Sequence, residues 1–218
     1  MVAFKNISTG STTPTDSDTH GTHVSGIIAG AKIDGMQIGV YPGAKLVVAS
    51  ALTSIADMLK GLQWIMDPDG NPETPDQPFV VNNSWHIGSA DPEPFYRVIE
   101  AFKEADILLA FSAGNAGQSG ITKPKEHPLT FTSAAVDEAG KIASFSSWGP
   151  ATYNGTSLQK PEVASMGVQV FSTLPGGKYG KMSGTSMASP FTAGAVALLG
   201  AHFPDKSPYL IAEVLKQT

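Results

Sequence analysis

The 218-residue sequence predicts an α/β domain with a mostly parallel, twisted sheet and helices on both faces. Three observations carry this. Short apolar runs alternate along the chain with segments of helical spacing. Several of the runs are near-continuous in apolar residues, as strands buried on both faces are. The composition, 41% hydrophobic and 15% charged with 23 Gly and 16 Pro, suits a single compact domain over 1–218 with many tight turns.

In chain order, "HGTHVSG" opens a helix expected over His20–Ala29, followed by a strand at Leu46–Ser50 and a helix at Ser54–Met66. The stretch "DPDGNPETPDQP" reads as a polar loop rich in turn residues, not a linker between domains. A strand follows at Phe79–Asn83. In the next helix, Pro94–Ala105, Phe95, Val98, Ile99 and Phe102 recur at helical spacing, with Arg97, Glu100 and Lys103 between them. Strands are expected at Ile107–Ser112, Phe131–Val136 and Val168–Ser172. A helix of small residues covers Thr185–Ala201, with Pro190 placed in its first turn, where a missing N–H costs nothing. Ser207 and Pro208 start a last helix that ends at Lys216. Ligand sites in such folds lie at the carboxyl ends of the strands.

Composition also excludes. A net charge of −5 without a basic run argues against a nucleic-acid partner. No apolar segment is long enough for a membrane span. No basic-then-apolar leader opens the chain, so its start is expected to be mature, cytosolic or truncated. The absence of cysteine removes disulfides, thiol nucleophiles and thiolate metal sites.

Three stretches carry chemistry-bearing groups. In "DTHGTHVSG", His20 and His23 share a helix face. In "MSGTSMASP", Ser186 sits at a helix start, where free N–H groups and the dipole favour negative charge. In "LLAFSAGNAG", glycines flank Asn115 just after a strand, so that its amide is free to donate to a developing oxyanion. Taken singly, each has an ordinary structural explanation: a core histidine, an N-cap serine, an Asn turn.

Together they resemble the subtilisin-like serine endopeptidases. "HGTHVSG", "SAGNAG" and "GTSMASP" occur in that family's order. "IGVYPGAKL", "VVNNSW", "ASFSSWGP" and "KPEVAS-MGVQVFSTLPGG" between them match as well, so the resemblance covers nearly the whole chain. The loop "DPDGNPETPDQP" before "VVNNSW" looks like the bacillopeptidase F-type branch. The resemblance implies a polypeptide substrate, an extracellular location, and a propeptide or upstream segment as a further partner. It implies His20 as general base, Ser186 as nucleophile and Asn115 as oxyanion donor beside the Ser186 N–H. It also implies that Ser84, Trp85 and His86 lie on the strand that pairs with extended substrate, and that Ser112, Ala113 and Gly114 form one wall of the pocket for the residue before the cut. No cofactor is required for this chemistry. Some relatives wrap a structural calcium ion at the place of "AKIDGMQ", but Asp34 is the one carboxylate there, too few for a hard cation.

The departures are specific. His86 stands where the family usually has glycine, Met166 where proline is usual and Phe191 where histidine is common. The family's catalytic aspartate lies upstream of the histidine in an Asp-(Ser/Thr)-Gly string, on a strand between those matching Leu46–Ser50 and Phe79–Asn83. The nineteen residues before His20 contain no such string. Asp16 and Asp18 belong to the loop just before the histidine helix, which the geometry of the resembled family puts on the wrong side of the ring. The expected fold therefore lacks the aspartate strand, and the domain is expected to be truncated at both ends. Two other classes remain: a non-catalytic binding or scaffold domain, favoured by the missing aspartate and His86, and a metallohydrolase built on His20 and His23, opposed by the absence of the "HExxH" zinc pattern.

Overall fold

A computed structural model describes residues 1–118 and 120–218. Strand β1 (Ala3–Asn6) is followed by α1 (His20–Ala29), β2 (Val47–Ser50), α2 (Ile55–Met66), β3 (Val80–Asn83), α3 (Glu93–Glu104), β4 (Leu108–Ser112) and β5 (Thr130–Val136). A hairpin, β6 (Gly149–Tyr153) and β7 (Thr156–Lys160), leads to β8 (Val163–Met166). A second hairpin, β9 (Val170–Leu174) and β10 (Lys178–Met182), precedes α4 (Thr185–His202) and α5 (Pro208–Lys216).

Strands β3, β4, β5 and β8 form a parallel sheet in that order. All five residues of β4 are buried, which explains its uninterrupted apolar run. The pleat sends alternate side chains to opposite faces. Leu109 and Phe111 join Met58, Leu62, Phe95, Ile99 and Phe102 in the core under α2 and α3. Leu108 joins Phe131, Val196, Ile211 and Ala212 under α4 and α5. Burying one such side chain contributes about 1.5–3 kcal/mol. Ser207 caps α5 by accepting from the Tyr209 N–H, and Ser54 caps α2 by accepting from Asp57.

Two expectations need correction. The strand expected at Val168–Ser172 lies at Val170–Leu174 and belongs to an antiparallel hairpin outside the main sheet. Gly176 and Gly177, both at positive φ, turn the chain straight back, and β8 becomes the fourth sheet strand instead. Pro190 is not in the first turn of α4 but inside the helix. Its missing N–H leaves the Ser186 carbonyl without a helical donor, and the Ser84 hydroxyl supplies one at 2.9 Å. Asp34 and Gly35 form the turn of a small β-bridge between Ile33 and Met36.

The sheet is interrupted. β1 and β2 pair in parallel as a separate two-stranded sheet. Between the free edges of β2 and β3 runs a cavity of about 590 Å³. Its place between the strands matching Leu46–Ser50 and Phe79–Asn83 is the place expected for the absent aspartate strand.

Away from this cavity, His127 is buried between the rings of Tyr96 and Tyr153, with centroids at 5.3 and 4.6 Å. Its Nδ1 accepts from the Leu129 N–H. Burial and the nearby Lys160 ammonium push its pKa down to about 4 from an ordinary 6.5. The unfolded chain therefore takes up this proton at a higher pH than the folded one. Stability should be full above pH 6.5 and fall as pH drops from there toward 4. Urea melts across this range test it: His127→Phe should flatten the slope whatever it does to absolute stability.

Candidate active site

Helix α4 starts at Gly184, whose φ of 157° suits glycine and which offers no capping side chain. Asn115, in the loop after β4, supplies the cap from a distance. Its Oδ1 accepts from both the N–H and the hydroxyl of Thr185, each at 3.0 Å. The Thr185 hydroxyl in turn accepts from the Gly114 N–H at 3.1 Å. With Oδ1 held in this way, Asn115 Nδ2 has to face the other side. A Cβ built on Gly184 lies 3.6 Å from that Nδ2 and 3.8 Å from the Ser186 nitrogen. Both nitrogens thus lie close to Gly184, at the positive end of α4.

Ser186 is the second residue of α4, beside these donors. Its carbonyl is tied to β3 through a relay. Ser189 donates to Asn82 Oδ1 at 2.7 Å, Asn82 Nδ2 donates to the Ser84 hydroxyl at 3.0 Å, and Ser84 donates to the Ser186 carbonyl. Asn82, Thr185 and Ser189 went unnoticed in the sequence. Their signal is that polar residues sit among apolar ones at a strand end and a buried helix start, but their partners are far away in the chain.

His20 is the first residue of α1 and lines the mouth of the cavity between β2 and β3, together with Ser84. Helix α1 is drawn to α4 by one buried cluster. Val24, one turn after His20, and Met187, next to Ser186, pack there with Ile27 and Val170. Gly26 lets β9 come close: a Cβ on it would lie 2.2 Å from Thr173 Oγ1. His23 is fully buried and turned to that hairpin, with Nε2 at 3.0 Å from the Val170 carbonyl and 3.2 Å from that of Gly180. Burial lowers its pKa, so a neutral ring donates from Nε2 to these oxygens. Its Nε2 is thus committed to the hairpin.

Asp16 is also accounted for. Its Oδ1 accepts from the N–H groups of Asp18 and Thr19, and its Oδ2 from the N–H and hydroxyl of Thr22. It caps α1, whose own N-cap residue, Thr19, makes no side-chain bond. Burial opposes its ionisation, but the Thr22 side chain and the three backbone bonds outweigh this and hold the carboxyl below its usual range. Asp18 is exposed. Among the described residues, the one acidic or histidine group with metal-ligand proximity is Asp67, Asp69 and Asp76, in the polar loop and apart from this site.

Of the residues expected to meet substrate, His86 is exposed, while Trp85 is half-buried and packs its ring on Phe95 and Phe111. Ser112 and Ala113 are buried, and Gly114 uses both backbone groups, donating to Thr185 and accepting from Ser147.

A family model for the subtilases matches residues 2–218. The chain belongs to the subtilase family. It is 39% identical over 205 residues to bacillopeptidase F of Bacillus subtilis (strain 168), covering 87% of this chain and 14% of that protein. It is 31% identical to a thermostable alkaline protease of Halalkalibacterium halodurans, over 93% of this chain and 53% of that protein. It is 32% identical to subtilisin E of Bacillus subtilis (strain 168), over 93% and 51%. The chain therefore spans about half or less of the length of these relatives. A crystal structure of a cold-adapted subtilisin-like serine proteinase shares the fold at a TM-score of 0.80 and 24% identity, covering 98% of this chain and 72% of that one.

Thr185→Val removes one of the two donors that hold Asn115 and the acceptor of the Gly114 N–H. With Ser186 and Asn115 in the roles proposed below, it should slow reaction of Ser186 with a small activated phosphonate less than Asn115→Ala does. Loss of such a donor lowers turnover of a subtilisin by about 10²–10³-fold. Rates measured for both variants, with circular dichroism as the folding control, check the order.

Proposed function

We propose that this subtilase domain cleaves peptide bonds with Ser186 as nucleophile and His20 as general base. The observation that carries the reading is that the Thr185 N–H and hydroxyl fix Asn115 by its Oδ1 at the start of α4, which leaves its Nδ2 as a donor near Gly184, two residues before the serine. A carbonyl oxygen that gains charge there is proposed to meet Asn115 Nδ2 and the Ser186 N–H. In the first step Ser186 Oγ bonds to the scissile carbon, the carbonyl electron pair moves to oxygen, and His20 takes the hydroxyl proton. Collapse breaks the C–N bond as His20 returns that proton to the leaving amine. Water repeats the sequence on the acyl-serine.

Extended substrate is proposed to lie along Ser84–His86, with the backbone rather than the packed Trp85 ring making the contacts, and Ser112–Gly114 is proposed to form one wall of the pocket for the residue before the cut. By analogy with secreted proteases, the proposed setting is extracellular; no described helix is long and apolar enough to cross a membrane. The carboxylate that steadies a catalytic histidine is proposed not to be Asp16, whose oxygens accept from the start of α1. It is proposed to come from a strand in the cavity beside His20.

An active-site fluorophosphonate should label Ser186 and no other serine, as mapped by peptide mass spectrometry. His20→Ala should slow this labelling; equal rates in variant and parent would remove the general-base role. A chelator should leave labelling unchanged, and inhibition relieved by zinc would instead favour a metallohydrolase.

Peptide hydrolysis by the 218-residue chain should be weak or undetectable. Loss of the aspartate from a subtilisin costs about 10⁴-fold in turnover. A chain extended upstream through an Asp-(Ser/Thr)-Gly strand should recover activity. Full activity without it would assign the role to a carboxylate already present.

A further inference from the structure

The stretch "ASFSSWGP" counts among the matches to the subtilases, yet the proposed reaction uses none of its side chains. In the fold it closes the connection from β5 to β6 and meets the loop that carries Asn115. That loop leaves the sheet early. The Ala113 N–H still donates to the Ser133 carbonyl of β5, at 3.0 Å, and after it the partners change. The Gly114 carbonyl accepts from the Ser147 N–H at 2.8 Å, and the Ala116 N–H donates to the Ser147 hydroxyl at 3.1 Å. The first of these groups belongs to the peptide unit before Asn115 and the second to the unit after it. One residue therefore holds both planar units that flank Asn115, and the two planes at a Cα fix the direction of its Cβ. Ser147 itself is fully buried. Two glycines make room for it: a Cβ would lie 2.9 Å from Ser147 Oγ if built on Gly114 and 2.6 Å if built on Gly120.

We propose that Ser147 is a positioning residue for the oxyanion donor: it anchors the main chain on both sides of Asn115, so that the Nδ2 amide keeps its direction while charge builds on the substrate. Asn115 and Ala116 are exposed, so packing does little to hold them and hydrogen bonds must. Thr185 holds the side chain through Oδ1, but one anchored oxygen leaves the main chain behind it free to shift. With Gly114 and Ala116 tied to one buried serine, side chain and backbone are fixed together. A donor that is already oriented needs no reordering during the reaction, and a misplacement of about 1 Å costs about 10²-fold in rate. Ser147 is buried, so it acts through Asn115 and not on substrate directly. The inference rests on the proposed function for the role of Asn115 as donor, not for the geometry that holds it.

The test uses the 218-residue chain and two readouts. The first is a two-dimensional amide NMR spectrum, which does not depend on catalysis. Ser147→Ala should shift the side-chain amide pair of Asn115 and speed hydrogen exchange at the Ala116 N–H about tenfold, in a chain that circular dichroism shows to be folded. The second is the rate at which a fluorophosphonate labels Ser186. Ser147→Ala should slow it about tenfold, less than Asn115→Ala does. In the Asn115→Ala background the same change should alter the rate by less than about twofold, because the residue acts through that amide. Ser147→Cys, which nearly keeps the volume but offers a weak acceptor, should slow labelling too, and it carries the test if the alanine variant does not fold. Additive losses in the double variant would make Ser147 a merely structural residue and overturn the proposal. So would unmoved Asn115 signals, or parent rates in the folded single variants. If the parent chain is not labelled while Ser147→Ala still moves the Asn115 signals, the functional reading falls and the positioning stands.

Discussion

Helix α4 begins inside the protein, and a buried helix start must find acceptors for its first amides. The cap residue itself, Gly184, has no side chain to offer. Asn115 meets this demand from the end of β4, and in doing so fixes which way its own amide group points. One structural requirement thus orients a chemical group. Satisfying the Thr185 N–H with an oxygen leaves the N–H₂ of Asn115 close to Gly184, at the end of α4 where the dipole favours negative charge. The Thr185 hydroxyl links this pair to the Gly114 backbone, so the loop after β4 and the start of α4 are held as one unit.

The same helix carries a defect that serves the site. Pro190 deprives the Ser186 carbonyl of its helical donor, and Ser84 fills the gap. An unfilled buried carbonyl costs about 1–3 kcal/mol. The repair binds the carboxyl end of β3 to the serine turn, and the relay through Asn82 and Ser189 reinforces it. The site is therefore built where two strand ends meet a helix start, the position that open α/β sheets generally reserve for ligands.

The two histidines of α1 show how burial divides roles between residues of one type. His23 lies against two carbonyl groups and loses its readiness to take up a proton. His20, one turn earlier, stays at the mouth of the cavity. Asp16 is close to His20 in sequence, yet the amides at the start of α1 claim its oxygens. Proximity along the chain does not put a carboxylate behind a ring; the direction of the helix decides that.

The sequence by itself determined the helices and most strands of the four-stranded sheet, because their apolar periods, their caps and their buried runs are local signals. His20–Ala29 is placed without displacement, and Ser54 and Ser207 are the caps of α2 and α5. It also singled out the groups proposed to bear the chemistry, since His20, Asn115 and Ser186 stand in a recognisable order. Only the tertiary structure decided how they are held. Thr185 and Ser84 act on residues 70 and 102 positions away, and such pairings leave no local pattern. Val170–Leu174 was misplaced because an apolar run looks the same in a sheet or a hairpin, and the glycines that reverse it act one turn later. The break between β2 and β3 was foreseen from the resemblance, but its shape came from packing. Large residues on α2 and small ones on α4 face one space, and no segment of the sequence records that they meet.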